Sequence, residues 1–460
     1  MKTLSRRRFI ELSSMFTLGG VATQWVAVPI PVSGQETTGV AGQNWARNYS
    51  YRAMRLRRPK SVEQLQQVAA EASQLSALGS RHSFNNIADT PGDLVSMEHF
   101  GGVIAMDRDD QTVTVGGGAR YGDFAVDLHR RGFAVHNLAS LPHTSVAGAC
   151  ATATHGSGDK NGNLATSVSG IEMVTADGKV VTLSRGQNGD AFNGAAVSLG
   201  GLGLVTKVTL GIIPTFDVRQ FVYEGLSQRQ LEDNFDDIFG RAYSVSVFTP
   251  WNDDSKNALW LKCRVGAGDT QNPPAKLFGA KASTEDCHPI LALSAESCTL
   301  QLGVAGPWYE RLPHFKMGFR PSTGAELQSE YFVPRQHAAA ALRVVHGLRK
   351  RLAPVLQISE IRTIAADNLW MSPCFGQACV SFHFTWKKDW PGVRAVLPLL
   401  EQTLAPFNVR PHWGKLFTMA PDVLQSRCPK LKSFRELVRT YDPDGKFRND
   451  FLNRYIFGNA

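Results

Sequence analysis

The sequence lacks several features that would assign it to a common class of protein. After residue 58 it has no run of Lys and Arg with interleaved aromatic residues, which argues against a nucleic-acid partner. It has no low-complexity tract and no internal repeat of fixed period. With 460 residues, of which 43% are apolar and 19% charged, the chain is long enough for two ordinary globular domains.

Cysteine is present, but not in a metal-binding pattern. The seven cysteines include no Cys-x-x-Cys pair and have no neighbouring His that would complete a zinc site, so we expect no metal. Cys374 and Cys379 are five residues apart and could form a disulfide, and the odd count leaves at least one free thiol. We interpret Cys150 and Cys263 as plain buried thiols.

The dinucleotide-binding fingerprint of nicotinamide-dependent enzymes is also missing. The segment Gly200-Gly201-Leu202-Gly203 precedes a predicted strand and does not open a helix. It therefore fails the structural context that this fingerprint requires, and the sequence disfavours a nicotinamide enzyme.

The N-terminus has the features of an export signal. Residues 5–10 read Ser-Arg-Arg-Arg-Phe-Ile, and an apolar stretch follows from Met15 to Pro29. This spacing is similar to the twin-arginine type, which implies export by the twin-arginine machinery to a periplasmic or extracellular location. The alternative is an uncleaved membrane anchor, but the stretch is short for about 20 spanning residues. We interpret residues 1–34 as the signal segment; they supply +3 of the formal net charge of +9.

The first half of the remaining chain alternates short strands with helices, over residues 60–215. A capping box at Ser61-x-x-Gln64 predicts the start of a helix, and another helix is predicted from about Asp123 to Arg131. Ile171–Leu183 is predicted to form a hairpin, and Leu204–Ile213 an apolar strand. We expect a cofactor-binding domain over residues 44–215.

From residue 216 to 404 the predicted strands carry polar residues on one face. Alternation places Glu360 and Arg362 on the same side of one strand. We interpret this region as an inserted substrate cap domain, and residues 405–460 as a C-terminal segment that completes the first domain and the active site.

Two loops rich in small residues lie in the predicted cofactor domain. The first is Gly79–Asn85, and the second extends from Ser140 through Gly148 to Gly158. Small residues allow backbone N–H groups to approach a diphosphate, and Ser and Thr hydroxyls add donors. Either loop alone is an ordinary tight turn, but two in one domain indicate a nucleotide-type cofactor.

These loops belong to a longer set of motifs that runs from about Asn44 to the C-terminus. The motifs are Leu78-Gly-Ser-Arg-His-Ser-Phe-Asn85, Ala139-Ser-Leu-Pro-His143, Ala151-Thr-Ala-Thr-His-Gly-Ser-Gly158, Gly324-Ala-Glu-Leu-Gln-Ser-Glu-Tyr331, Glu360-Ile-Arg362 and His412-Trp-Gly-Lys415. Together they resemble the alditol (xylitol) oxidases, which are vanillyl-alcohol-oxidase-type flavoproteins close to the D-arabinono-1,4-lactone and L-gulonolactone oxidases. The resemblance implies an α+β, two-domain PCMH-type FAD-binding fold with an inserted cap domain on an antiparallel sheet.

The resemblance also implies the residues that hold FAD. In the family the His of the first loop bonds covalently to the flavin, which implies a covalent link through His82. The family has Gly where this chain has Arg81, and a positive φ there would cost about 1 kcal/mol or more. The other implied cofactor positions are Gly79, Ser80, Arg81, Ser83, Ser140, Ser145, Gly148, Thr152, His155, Val205, Thr385 and His412.

The substrate side is expected to bind hydroxyl groups. A polyol has many hydroxyls and no charge, so its site needs a carboxylate acceptor and cationic donors that are themselves paired. Glu360 and Arg362 fit these roles, with Gln328 and Ser140 as further contacts. Taken alone, such a pair is more often a structural salt bridge between two residues on the same face. The resemblance reverses this and favours substrate binding.

Two residues are candidates for the base that removes the hydroxyl proton. His383 starts from a reference pKa near 6.5, whereas Lys415 starts near 10.4 and needs a large shift to act as a neutral base. We therefore prefer His383 as the base, with Lys415 charged and stabilising the alkoxide.

The resemblance thus implies FAD-dependent oxidation of an alditol such as xylitol or sorbitol. Hydride would pass from the carbinol carbon to the flavin N5, and O2 would reoxidise the flavin to give H2O2. The nearest alternative is an aldonolactone oxidase or dehydrogenase of the same fold. A membrane-attached dehydrogenase that reduces a quinone and a secreted sugar-binding protein without catalysis are the others.

Overall fold

The computed structural model describes residues 41–251, 257–266, 274–290, 292–319 and 326–458. The predicted signal segment at residues 1–34 lies outside these ranges. The strands are β1 (Arg55–Arg57), β2 (Leu75–Leu78), β3 (Asp93–Ser96), β4 (Val103–Asp107), β5 (Thr112–Gly116), β6 (Phe133–Ala134), β7 (Val168–Val174), β8 (Val180–Ser184), β9 (Leu204–Gly211), β10 (Ile213–Pro214), β11 (Asp217–Leu226), β12 (Ser244–Thr249), β13 (Asn257–Arg264), β14 (Lys276–Leu277), β15 (Ala280–Ala282), β16 (Gly306–Pro307), β17 (Glu326–Pro334), β18 (Leu356–Ile364), β19 (Cys379–Lys387) and β20 (Arg410–Pro411). The helices are α1 (Val62–Glu71), α2 (Tyr121–Arg130), α3 (Val146–Ala151), α4 (Arg185–Ala196), α5 (Gln228–Asp233), α6 (Phe235–Phe239), α7 (Trp308–Arg311), α8 (Ala338–Gly347), α9 (Arg349–Leu352), α10 (Trp390–Leu404), α11 (Pro421–Ser426), α12 (Leu431–Tyr441) and α13 (Asp450–Leu452).

The N-terminal part contains two sheets that follow from local sequence signals. A parallel sheet has the order β1-β3-β2, and an antiparallel sheet has the order β4-β5-β9-β7-β8. Helix α1 begins after Ser61, whose hydroxyl accepts from the backbone N–H of Gln64 at 3.3 Å. The predicted hairpin is β7–β8, and its turn contains Gly178 at φ +78°.

Two predicted boundaries in this part were wrong. Helix α2 begins at Tyr121, two residues before the predicted start. The predicted strand over Leu204–Ile213 is two strands, because β9 ends at Gly211 and β10 pairs instead with β6.

The central part forms a large antiparallel sheet. Its order in the described chain is β14-β15-β11-β13-β12-β18-β19-β17-β20, with β16 beside β11. The register places Glu360 of β18 opposite His383 of β19, and His383 opposite Glu330 of β17. Directly opposed residues of neighbouring strands lie on the same face of a sheet. The three side chains therefore share one face, and the register rather than sequence proximity brings them together.

The C-terminal segment bonds to both parts. Strand β20 pairs with β17 of the large sheet. The carbonyl of Lys446 accepts from the N–H of Leu75 at 2.9 Å, and the Asn449 amide donates to the carbonyls of Ile87 and Asp89, both at 2.8 Å. The predicted α+β class with an antiparallel cap sheet is confirmed, while the domain limits at residues 215 and 404 stay predictions.

All seven cysteines are free thiols, so the possible Cys374–Cys379 disulfide is not formed in this structure. Cys150 and Cys263 are buried, as expected. No helix within the described ranges is long and apolar enough to cross a membrane. The same ranges contain no cluster of His, Cys, Asp and Glu arranged to hold a metal ion.

Candidate functional site

One cavity of about 340 Å³ extends from the two small-residue loops to the polar face of the large sheet. The part lined by residues 76–88, 139–154 and 198–205 is called the loop half. The part lined by β17, β18, β19 and residues 412–415 is called the sheet half. Every residue that the sequence assigned to the cofactor or the substrate lines this cavity.

The loop half depends on a close approach of two backbones. A Cβ atom on Gly79 would lie 2.5 Å from Ser145 Oγ, and one on Gly148 would lie 2.8 Å from the same atom. Ser80 Oγ accepts a hydrogen bond from the backbone N–H of Ser145 at 3.0 Å. Glycine at residue 79 lets the first loop pack against Ser145, and glycine at residue 148 leaves room for the same hydroxyl within the second loop.

The chemistry of the loop half fits the diphosphate of FAD. Its lining contains no Asp or Glu among the described residues, so no carboxylate would repel an anion. Hydroxyl donors are supplied by Ser76, Ser80, Ser83, Ser140, Thr144, Ser145, Thr152, Thr154 and Ser198. Hydroxyls and backbone N–H groups can bind phosphate oxygens without a nearby lysine.

The His82 loop is held by aromatic and backbone contacts. The imidazole of His82 stacks on Trp45, with ring centroids 5.0 Å apart and planes 24° from parallel. Arg81 has φ +63°, which is the left-handed region where the sequence predicted a cost. Its guanidinium donates to the carbonyls of Ala41 and Gln43 and lies 5.6 Å from the centroid of the Tyr51 ring. These contacts offset part of the backbone strain.

A buried carboxylate, Glu330, lies at the centre of the sheet half. It is 1% exposed, and its oxygens lie 2.9 Å from Arg362 Nη2, 2.7 Å from Lys415 Nζ and 3.1 Å from His155 Nε2. Burial alone would raise the pKa of Glu330, but Lys415, His155 and Arg362 outweigh it and hold that pKa well below its usual value. Glu330 is therefore an anion that organises three other site residues.

The sequence interpretation missed Glu330, although this residue is part of the motif Gly324-Ala-Glu-Leu-Gln-Ser-Glu-Tyr331. Its signal was alternation, because Gln328 and Glu330 are two residues apart on β17 and must share a face. The sequence alone does not show that this face belongs to the site. The strand register shows it, because it places Glu330 directly opposite His383.

Lys415 and His383 form a close pair. Lys415 Nζ lies 2.7 Å from His383 Nδ1, and His383 Nε2 lies 3.1 Å from the hydroxyl of Thr385. Burial and the charge of Lys415 lower the pKa of His383 to about 3. Burial also lowers the pKa of Lys415 from its usual value, despite the opposing effect of Glu330. His383 is therefore neutral at ordinary pH, and both of its ring nitrogens are engaged within the protein.

Glu360 lies beside this pair with one oxygen bound. Oε1 is 2.8 Å from His314 Nε2 and 3.6 Å from Arg362 Nε. Burial would raise the pKa of Glu360, but Arg362 and His314 together lower it. Among the described residues, no protein donor bonds to Oε2 of Glu360, and Arg362 Nε is buried without a hydrogen-bond partner. Oε2 of Glu360 is thus left to accept from a ligand hydroxyl, and the Arg362 guanidinium beside it also lines the cavity.

The remaining assigned residues lie between the two halves. Ser140 Oγ is 3.5 Å from Arg362 Nη1, so the second loop reaches the sheet half. His412 Nδ1 accepts from the N–H of Gly414 at 3.1 Å, and burial lowers the pKa of the His412 imidazole. His155, assigned to the cofactor from the sequence, lies against Glu330. These contacts make the loop and sheet halves one continuous site.

Comparison with known proteins gives two family matches and a near-complete relative. Residues 54–184 match the family described as FAD binding domain, and residues 325–455 match the D-arabinono-1,4-lactone oxidase family. Over 418 residues the chain is 45% identical to an alditol oxidase of Streptomyces sp., covering 90% of this chain and 99% of that protein. It is 27% identical to an L-gulono-1,4-lactone dehydrogenase of Mycobacterium tuberculosis, covering 87% and 95% of the two chains. A solved cholesterol oxidase from B. sterolicum superposes with a TM-score of 0.72 at 15% identity, covering 94% of this chain and all of that one, which shows a shared fold.

Proposed function

The chain belongs to the alditol oxidase family of FAD-dependent oxidoreductases that act on CH–OH groups, and we propose that its substrate is an alditol such as xylitol or sorbitol. Oxygen is the proposed electron acceptor, with H2O2 as the second product. Family membership sets aside the alternative of a sugar-binding protein without catalysis. The aldonolactone oxidases and dehydrogenases are the more distant relatives and give the second candidate substrate.

The observation that carries this proposal is the pairing of charges in the sheet half. Glu330 contacts Arg362 and Lys415, and Glu360 contacts Arg362 and His314, so the sheet half has no cation left over for an anionic substrate. Oε2 of Glu360 accepts a hydrogen bond from a substrate hydroxyl, and the Arg362 guanidinium, which lines the cavity, donates to a hydroxyl oxygen. An uncharged polyol uses both groups without leaving a buried charge unpaired.

The loop half would hold FAD through the backbone and hydroxyls of the two loops around Gly79, Ser80, Ser145 and Gly148. FAD, when bound, supplies the acceptor for the hydride that leaves the carbinol carbon. Holding that carbon in one orientation is the task of Glu360 and Arg362, and fixed orientation is itself a large part of catalysis.

The geometry favours Lys415 over His383 as the base, which differs from the preference reached from the sequence. A base must offer a lone pair within about 3 Å of the substrate oxygen. Both ring nitrogens of His383 already face Lys415 and Thr385, and its pKa near 3 makes it a weak base. Lys415 lines the cavity, and burial lowers its pKa toward the range where a neutral amine is available. In this mechanism Lys415 takes the hydroxyl proton, while His383 and Glu330 hold Lys415 in place.

The substrate assignment is tested by bleaching of the flavin without oxygen. A panel of polyols, aldoses and aldonolactones is mixed with the holoenzyme, and the rate and concentration dependence of bleaching are measured. We expect xylitol or sorbitol to bleach the flavin faster than any lactone. Faster bleaching by L-gulono-1,4-lactone would assign the chain to the lactone reaction instead. Comparison of H2O2 formation with dye reduction then distinguishes an oxidase from a dehydrogenase.

The role of Glu360 is tested by Glu360→Gln. A hydrogen bond to a charged group contributes about 1.5–3 kcal/mol, so substrate dissociation constants should rise about 10- to 100-fold. The bleaching rate at saturating substrate should change less. Unchanged dissociation constants for every substrate that bleaches would make Glu360 a structural residue.

A covalent link between His82 and FAD is a further part of the proposal. It is supported by the family motif and by the position of His82 in the cavity lining. Denatured protein on a gel should fluoresce in mild acid, and His82→Ala should lose that signal while FAD still binds. Release of free FAD from the parent protein by acid precipitation would contradict the link.

Export by the twin-arginine route is proposed from residues 5–10 alone. Replacing Arg6 and Arg7 with Lys keeps the charge but changes the side chains that the export receptor would read. The double variant should stay in the cytoplasm. Export at the parent level would exclude the twin-arginine assignment.

A further inference from the structure

One buried lysine of the large sheet is outside the cavity lining and is not used by the proposed mechanism. Lys262 of β13 is 1% exposed. Its Nζ lies 2.5 Å from the carbonyl oxygen of Leu312, 3.1 Å from that of Pro313 and 3.2 Å from Nδ1 of His314. An ammonium has three N–H donors and no acceptor. Three acceptors around one Nζ can therefore bond all three N–H groups of a protonated Lys262, while burial lowers the pKa of this amine to about 7.

This arrangement fixes the tautomer of His314. The pKa of Glu360 is lowered, so its Oε1 accepts, the ring proton of a neutral His314 must be on Nε2, and the lone pair of Nδ1 is left to accept from Lys262. Nε2 is the atom 2.8 Å from Oε1 of Glu360. His314 is therefore a donor to Glu360, and its ring nitrogens cannot exchange roles while Lys262 stays in place.

The ring of His314 is also fixed in position. Phe248 and Trp260 contact it edge-on, at centroid distances of 5.3 and 5.5 Å. Its backbone N–H donates to the carbonyl of Ser140 at 3.1 Å, which ties it to the second loop. A ring that contacts two aromatic side chains and has both nitrogens hydrogen-bonded is held in one orientation toward Glu360.

We propose that His314 is a positioning residue for Glu360 and that Lys262 sets the tautomer that allows this role. His314 binds Oε1, so Oε2 is the oxygen presented to the substrate hydroxyl. The inference rests on the proposed function, because Glu360 is taken to bind the substrate. It extends the site by two residues that no sequence motif indicated.

The test is a double-mutant cycle in the holoenzyme with xylitol as the probe. The single variants His314→Leu and Glu360→Gln and the double variant are compared by calorimetric dissociation constant, by bleaching rate at saturation and by FAD content. His314→Leu should raise the dissociation constant about 10-fold, with FAD content at the parent level. In the Glu360→Gln background the same change should have an effect below about 3-fold, because residues that act through one another are not additive.

Two conservative variants separate positioning from simple packing. His314→Gln retains an N–H donor and should recover most of the lost affinity, whereas His314→Leu fills similar space without a donor. Lys262→Met removes the donor that fixes the tautomer, so it should weaken xylitol binding less than His314→Leu. Equal losses in His314→Gln and His314→Leu, or additive effects in the cycle, would overturn the inference.

Failure of the positioning role of His314 can be distinguished from failure of the proposed function. If xylitol neither binds nor bleaches the parent flavin, the polyol assignment fails, and the cycle is repeated with L-gulono-1,4-lactone. Coupling between His314 and Glu360 for that ligand would support the positioning role without the polyol. Additive effects for that ligand would reject the positioning role as well.

Discussion

The two halves of the cavity are built by opposite means. The loop half has no carboxylate in its described lining and depends on close packing around Ser145, where Gly79 and Gly148 leave room for the serine side chain. The sheet half depends on charged side chains that are almost fully buried and paired, with Glu330 at the centre. One half therefore needs small residues in particular places, and the other needs matched charges.

The difference predicts how each half responds to substitution. In the loop half, adding a single carbon atom should shift the backbone and weaken cofactor binding. In the sheet half, a substitution of equal volume that removes one charge should be severe, because it leaves the opposite charge buried and unpaired. The variants below test this contrast, beginning with the largest expected effect.

Lys415→Met should give the largest loss. It removes the proposed base while keeping a similar chain length, and loss of a general base slows a reaction by roughly 100- to 10,000-fold. Bleaching of the flavin by xylitol at saturation is the measurement. In the parent this rate should rise with pH through a pKa below the ordinary lysine value near 10.4, because deprotonation creates the base. The variant should lose that rise.

His383→Asn is the matched control for Lys415→Met. It removes the imidazole but leaves Lys415 and its contact with Glu330. It should slow bleaching less than Lys415→Met and keep the rise with pH. If His383→Asn alone loses the pH dependence, the base is His383, as the sequence first suggested. Near-parent rates in both variants would remove the pair from the mechanism.

Glu330→Gln should have the next largest effect, on stability. Breaking a buried ion pair by removing one partner costs about 3–5 kcal/mol, and here Arg362 and Lys415 both lose their counter-charge. Denaturant unfolding of the holoprotein measures this loss. Glu436→Gln, on the exposed side of α12, is the control and should lie within about 0.5 kcal/mol of the parent.

The loss in Glu330→Gln should depend on pH with a definite sign. Folding holds the pKa of Glu330 below its unfolded value of about 4.3. Its stabilising contribution is therefore present above that value and is lost as the pH falls through the folded-state pKa. The difference between parent and variant should be largest near neutral pH and smaller in acid. A difference that does not depend on pH would mean that Glu330 acts through packing and not through charge.

Local signals in the sequence predicted much of the N-terminal part. The Ser61 cap, the β7–β8 hairpin and both small-residue loops depend on residues within a few positions of one another. The boundary error at Ile213 has a long-range cause, because β10 pairs with β6, which is about 80 residues earlier in the chain. Alternation also predicted the shared face of Glu360 and Arg362.

The missing part of the site depends on register. Glu330, His314 and Lys262 lie on or between strands far apart in sequence, and their contacts exist only once β12, β13, β17, β18 and β19 are aligned. A motif shows which residues are neighbours along the chain but not which face each other across a sheet. The preference for His383 as the base also rested on sequence neighbours alone. The pKa of His383 depends on Lys415, which follows the end of β19 by 28 residues.

Gly79→Ala tests the loop half and should have a moderate effect. The added Cβ would lie 2.5 Å from Ser145 Oγ, and overpacking of this kind costs about 1–3 kcal/mol. FAD content and the FAD dissociation constant are the measurements. Ser145→Ala removes Oγ, after which the nearest atom of residue 145 is its Cβ at 3.5 Å, an ordinary contact. The double variant should therefore bind FAD better than Gly79→Ala. No recovery would show that Gly79 is needed for another reason.

Substitution of Arg81 should have the smallest effect, and it isolates backbone strain from side-chain contacts. Arg81→Ala and Arg81→Gly both lose the bonds to Ala41 and Gln43, but only glycine adopts φ +63° without a steric penalty. The glycine variant should therefore be more stable than the alanine variant by about 1 kcal/mol, measured by denaturant unfolding. It should also lie within about 1 kcal/mol of the parent, because relief of strain offsets the lost contacts. Equal stability of the two variants would mean that the loop relaxes to a negative φ once the arginine is removed. The fluorescence of the denatured protein then shows whether that relaxed loop still places His82 for attachment to the flavin.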